Sequence, residues 1–157
     1  MYLPDGVYTV TDDIIMASST ELIGASRDGT ILRLNPANIS DIVFILYPKL
    51  TTGWYAANVK ISNLTLDGNY DNLGSHPGNR GGLISPVTGW TVDTVVFNSS
   101  NSFMFFPNGF HNITVKDSIF RGNGSGADCI GGGGNTNLVI DHNVFEAGLK
   151  CNEYDNV

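Results

Sequence analysis

Three groups of side chains in this sequence have the types and spacing to do chemistry. Asp67-Gly68-Asn69-Tyr70-Asp71 carries oxygen ligands at alternate positions, the D-x-N-x-D spacing that opens a calcium loop. The glycine that should follow and the distal glutamate are absent, and the same residues would also make a corner turn held by Asx hydrogen bonds. Either use fits the spacing, so calcium enters as a possible cofactor with Asp67, Asn69 and Asp71 as its ligands. His76 and Arg80 share a polar stretch; an imidazole can take a proton and a guanidinium can neutralise a carboxylate, or both can be solvated loop side chains. Trp54, Tyr55 and Tyr70 offer flat faces to the apolar side of pyranose rings. The run Phe103 to Phe106 has the same faces but reads as core, because nearly every residue there is apolar. His142, after Asp141, points outward as a sugar ligand or as an exposed strand residue.

These residues need elements to hold them, and composition says which kind. The chain has 157 residues, the size of one domain, with 41% apolar and only 15% charged residues. Nineteen glycines, abundant asparagine and many β-branched residues make it a β protein. Net charge is −7, which excludes a nucleic-acid binder working by phosphate neutralisation. The longest apolar run, Ile42-Val43-Phe44-Ile45-Leu46, is far short of the roughly 20 residues that span a bilayer. The start lacks the basic, apolar and small-residue order of a signal peptide. Sequons at Asn38, Asn63, Asn98, Asn112 and Asn123 fit a secreted protein, though asparagine-rich chains produce them by chance.

A repeat organises the chain. Val59–Leu66, Trp90–Phe97, Ile113–Phe120 and Leu138–Phe145 each begin as an alternating strand, break period at a polar residue and end apolar. Taking Leu66, Phe97, Phe120 and Phe145 as equivalent gives spacings of 31, 23 and 25 residues, a solenoid period. Strand-type alternation makes this a parallel β-helix of about six coils, in which Ile61, Val92, Val115 and Ile140 stack in one row and the phenylalanines in another. Two stretches, 48–58 and 68–89, are too long for corners and are expected to project from the rod as loops. Gly131 to Gly134 reads as a flat corner. Cys129 and Cys151 both lie beyond the end of a matching strand, so they form a disulfide if the coils stack their sulfurs, and are reduced core thiols if not.

Leu3-Pro4-Asp5-Gly6-Val7-Tyr8-Thr9-Val10 and Thr20-Glu21-Leu22-Ile23-Gly24-Ala25-Ser26-Arg27-Asp28-Gly29-Thr30-Ile31-Leu32 resemble the opening strand and second coil of the pectate-lyase-like, right-handed, single-stranded parallel β-helix superfamily. There the second coil commonly reads L-x-G-A-G-x-x-x-T-x-L, and Ser26 stands at one of its glycines. The resemblance runs over nearly the whole chain and implies the fold, not the chemistry: lyases, polygalacturonases, mannuronan C5-epimerases, phage tailspikes and adhesins share it. In relatives a capping helix precedes the opening strand, and here Met1 stands almost at it. The chain is therefore expected to be a fragment of a longer protein, its ends covered by flanking domains or by subunits, as in a homotrimer.

Leu64-Thr65-Leu66-Asp67-Gly68-Asn69-Tyr70-Asp71-Asn72 is similar to a stretch of the mannuronan C5-epimerases. Their catalytic segment, Y-G-F-D-P-H, corresponds to Phe103-Met104-Phe105-Phe106-Pro107-Asn108, so its tyrosine, aspartate and histidine become Phe103, Phe106 and Asn108. None of these exchanges a proton near neutral pH. A further family aspartate falls on Asp128, which also occupies the second aspartate of the polygalacturonase D-D-C-I as Ala127-Asp128-Cys129-Ile130. The resemblance therefore implies a glycan-facing module of an extracellular, cell-surface or phage tail protein, binding polysaccharide through Trp54, Tyr55, Tyr70, His76, Arg80 and His142. The alternatives are a lyase, hydrolase or uronate epimerase with Asp128 as acid or base, and a structural spacer.

Overall fold

A strand with one apolar face is stable only when another lies against it, and in this chain each strand finds its neighbour one coil away. In the computed structural model, residues 1–38, 44–47, 56–69, 72, 82–84, 88–99, 104–105, 111–121, 129–134, 136–146 and 153–155 are described. Strands are numbered in chain order. Among the described residues, six parallel rungs form the main face. The first two are split, β1 (Tyr2–Leu3) with β2 (Gly6–Val10) and β4 (Glu21–Gly24) with β5 (Thr30–Leu34). Next come the continuous β7 (Lys60–Asp67) and β9 (Thr91–Asn98). The last two are split again, β10 (His111–Lys116) with β11 (Ile119–Arg121) and β13 (Thr136–Asp141) with β14 (Val144–Phe145).

A second parallel sheet closes the coil behind this face. It runs from β3 (Ile14–Ile15) through β6 (Phe44–Tyr47) to β8 (Gly82–Ile84), and single bridges carry it on from Ile84 to Phe105 to Ile130. From there β12 (Gly131–Gly133) pairs with β15 (Glu153–Asp155). One turn of 3-10 helix spans Pro36–Asn38. The architecture is a right-handed parallel β-helix, the solenoid expected from the repeat with the hand expected from the resemblance. The glycine run expected as a corner is instead strand β12. The stretch 68–89 holds β8, and Ala56, expected in a loop, is fully buried and accepts a hydrogen bond from Trp90 Nε1 at 3.0 Å.

The registers fall where the repeat puts them. Leu66 pairs with Phe97, Phe97 with Phe120 and Phe120 with Phe145. Leu22, Ile61, Val92, Val115 and Ile140 form the neighbouring row. Rings of Phe97 and Phe120 stack at 4.5 Å, those of Phe120 and Phe145 at 4.8 Å, and Phe105 meets Phe97 edge-on at 6.2 Å across the two sheets. The polar residues that interrupt the alternation are the ones the backbone bends on. Asn63, Thr94, Asp117 and His142 all have φ between 50° and 61°, one per coil. A second such ladder runs through Ser19, Asn58, Gly89, Asn112 and Asn137. The left-handed conformation suits Asn, Asp and Gly and is costly for Thr94, whose Oγ1 donates to Asp93 Oδ1 at 2.9 Å. At Gly24 the coils come so close that a Cβ would lie 2.2 Å from the Asn63 carbonyl oxygen.

Candidate functional site

The outward side chains at the C-terminal ends of the main-face strands make one continuous row. Arg33 pairs with Asp67, Asp67 with Asn98 and Asn98 with Arg121. Asp67, almost fully buried, is held by three donors: Arg33 Nε reaches Oδ2 at 2.7 Å, while the Asn69 amide at 2.9 Å and Asn98 Nδ2 at 3.2 Å reach Oδ1. Asn69 Nδ2 donates to the Leu34 carbonyl and its Oδ1 accepts from Asn72. The two described members of the calcium expectation thus make the Asx corner turn, with a guanidinium where a cation would sit. Asp71 lies outside the described residues, among which no group of three or more His, Cys, Asp or Glu is arranged to hold a metal.

The row continues outward. Arg121 Nε donates to Glu146 Oε1 at 3.1 Å, and its Nη1 lies 3.9 Å from Asp28. The bend at 25–29 laps over β7, where Thr65 Oγ1 donates to the Arg27 carbonyl at 2.7 Å; Arg27 Nη2 pairs with Asp28 at 3.3 Å. Arg27, Arg33 and Arg121 therefore share one face of an acidic chain. The sequence reading missed this cluster. The residues are 27, 33 and 121 in number, and only the coil register brings them together.

The bend edge carries different chemistry. Lys116 Nζ lies 3.1 Å from Asp93 and 3.7 Å from Asp117 on successive coils. Burial pushes the Asp93 carboxyl up, but hydrogen bonds from Thr94 and Lys116, with the charges of Lys116 and Lys60, outweigh it and hold it below the ordinary carboxylate range. The Asp93 hydrogen bond and charge raise Lys116 above an ordinary lysine. His142 is exposed on this edge, its Nδ1 2.9 Å from Asp141, on the left-handed corner between β13 and β14 rather than within a strand.

Of the other expected site residues, Trp54, Tyr55, Tyr70, Asp71, His76, Arg80, Asp128 and Cys151 lie outside the described residues. The order of elements still sorts them by connection. Tyr70, Asp71, His76 and Arg80 belong to the chain between β7 and β8, and Asp128 to that between β11 and β12, both leaving the strand ends that carry Asp67 and Arg121. Trp54 and Tyr55 belong to the return from β6 to β7. Met104, Phe105 and Cys129 are buried in the core.

Comparison with known proteins agrees with this geometry. The family model described as rhamnogalacturonase A/epimerase, pectate lyase-like, matches residues 1–153. Mannuronan C5-epimerase AlgE2 of Azotobacter vinelandii is 28% identical over 137 residues, 79% of this chain. The chain spans only 14% of that relative's length. A crystal structure of a candidate glycosyl hydrolase from Parabacteroides merdae ATCC 43184 superposes with a TM-score of 0.65 at 16% identity, covering 99% of this chain and 85% of that one.

Proposed function

The chain belongs to the rhamnogalacturonase A/epimerase, pectate lyase-like family, and from that premise we propose that it is a polysaccharide-binding module of a larger extracellular, cell-surface or virion protein. The observation that carries this reading is the replacement of the epimerase-type proton-exchanging residues by Phe103, Phe106 and Asn108, beside a Met104 and Phe105 buried in the core. A polymer held beside the connections from the main face to the second sheet would meet Tyr70, His76 and Arg80. Trp54, Tyr55 and His142 complete the proposed set of binding residues. No helix among the described residues is long and apolar enough to cross a membrane.

Exposed apolar side chains at both end rungs, Tyr2 and Val7 at one and Val139, Val144 and Phe145 at the other, support coverage by flanking domains or by the subunits of a trimer. A disulfide between Cys129 and Cys151 belongs to the same proposal, because β12 and β15 pair Gly131 with Glu153, an offset equal to that between the two cysteines. Thiol alkylation before and after reduction tests it; full labelling without reductant excludes the bond.

The second reading is an enzyme, favoured by the likeness to a mannuronan C5-epimerase, with Asp128 as its acid or base and calcium as its cofactor. Incubation with acidic and neutral polysaccharides, with and without calcium, separates the two. Unsaturated or reducing-end product, or exchange of the sugar C5 proton, that disappears in Asp128→Asn would establish the enzyme. Retention on a glycan array without product would establish the module. Neither result would leave a structural spacer.

A further inference from the structure

At each end of the rod, both sheets finish on a strand with one neighbour. Among the described residues these strands are β1, β2 and β3 at the first coil and β13, β14 and β15 at the last. A strand paired on one side leaves half of its backbone donors and acceptors open, a template for another strand. The side chains at the two ends are matched by column. Tyr8 heads the column that runs through Leu32, Leu66, Phe97 and Phe120 to Phe145, and Val7 heads the one that ends at Val144. Val7 and Val144 are each more than half exposed. The core is unfinished at both ends, in opposite senses. A cavity of about 330 Å³ lies at the first rung, lined by Leu3, Tyr8, Val10, Ile14, Leu22 and Leu32. The last rung instead carries the core-row side chains Ile140 and Phe145, each more than a third exposed. One end has apolar space, and the other has apolar side chains without a neighbour.

We infer that the last rung of one molecule seats on the first rung of a second copy, head to tail, as a further coil of the same rod would. The stack of Phe97, Phe120 and Phe145 then gains Tyr8 of the second copy as its next ring, about 4.8 Å away at the usual strand spacing. Ile140 and Phe145 close the cavity, and Val144 covers Val7. The backbone continues the bonding seen inside the rod, where Ile23 donates to the Met1 carbonyl, Val144 to that of Ser118 and Glu146 to that of Phe120. In the same columns, the amides of Tyr2, Val7 and Thr9 meet the carbonyls of Ile140, Asn143 and Phe145. Asp141 comes over Tyr2 and Glu146 over Thr9, so no like charges are pressed together on the main face. The occupant must present two strands at the separation of the two sheets, around an apolar centre. A lone peptide strand adds to one sheet edge, whereas another coil of this rod pairs with both sheets at once. The contact joins unlike surfaces, so it repeats into a row and does not close with two molecules. It concerns how the ends are covered and does not rest on the glycan reading.

Sedimentation velocity of the chain over a range of concentrations tests it. Val7→Asp spoils the first rung, Val144→Asp spoils the last, and the two are also mixed in equal amounts. Both positions are exposed in the single molecule, and melting curves check that each variant is folded. The wild-type mass should climb with concentration past that of a dimer. Each variant alone should associate about tenfold more weakly, because a short carboxylate is trapped in the junction. The mixture should recover the wild-type affinity but stop at dimers, since only one sound junction exists in it. A wild type that stays a single chain at every concentration overturns the inference. So does an assembly that stops at a dimer or a trimer, one that either variant leaves intact, or a mixture no better than its components. Amide exchange of the wild type gives a reading without substitution. Protection of β13 and β14 should rise with concentration while that of β7 and β9 stays constant, and exchange that ignores concentration overturns the inference as well.

Discussion

The fourth and sixth rungs are built from the same residue types and live under different conditions. β9 lies between β7 and the β10–β11 rung, whereas among the described residues β13 and β14 have a neighbour on one side only. Val92 and Phe97 are fully buried, but Ile140 and Phe145, at the same register positions, are 37% and 40% exposed. In a solenoid, burial is conferred by the adjacent coil and not by the residue's own strand. Identical substitutions should therefore have unequal effects along the rod.

Phe97→Ala should cost most, about 3–5 kcal/mol, because a ring packed between Leu66, Phe120 and Phe105 leaves a cavity. A lowered urea midpoint measures it, and a loss under about 1 kcal/mol would show that the middle rungs are no better packed than the end. Trp90→Phe comes next, at about 1–3 kcal/mol, since it strands the buried Ala56 carbonyl without its donor; a neutral result in the same titration would mean that water replaces the indole. Phe145→Ala should cost only about 1 kcal/mol, one face of its ring being already wet. If it matched Phe97→Ala, the last rung would have to be covered in solution. Amide exchange sharpens the contrast without mutation: protection should fall from β7 and β9 toward β13, and uniform protection would break it.

The smallest effect is the pH dependence of the Asp93–Lys116 pair. Asp93 titrates lower in the folded chain than in the unfolded one, so its contribution is complete above the unfolded carboxylate value, about 3.9, and is lost as acid carries the pH through the folded value. Lys116 is raised, so its contribution holds below about 10.4 and is lost as the pH climbs through its folded value. Asp93→Asn should flatten both limbs of a melting-temperature profile. Limbs that superpose on the wild type would assign the pair no energetic role.

Much of the main face was legible because its signal is local. The alternation in Ile61 to Leu66 and its copies fixed the inward rows, and the polar residues that broke it, Asn63, Thr94, Asp117 and His142, are the left-handed bends. The second sheet was illegible for the converse reason. Ile14–Ile15, Gly82–Ile84 and the bridge at Phe105 are too short to show a period, and Gly131–Gly133 has no side chains to alternate. Arg33 and Asp67 are 34 residues apart in a coil whose length matches no other, so no spacing rule could have joined them. The acidic D-x-N-x-D run drew attention as a cation loop, while the group that satisfies its first carboxylate is an arginine one coil away.

The hydrogen bonds that join one rung to the next point along the rod, and this governs how the molecule would carry load. A pull on the two end rungs stresses those bonds in series, peeling one coil at a time instead of shearing a whole sheet at once. Phe97 and Phe120 are separated by 23 residues, so each released coil of that size pays out roughly 80 Å of extended chain. A sawtooth of weak steps in a force–extension trace, their lengths following the unequal coils, is the expected mechanical signature, and a single large rupture would contradict it. Such a rod would lengthen under tension before it let go.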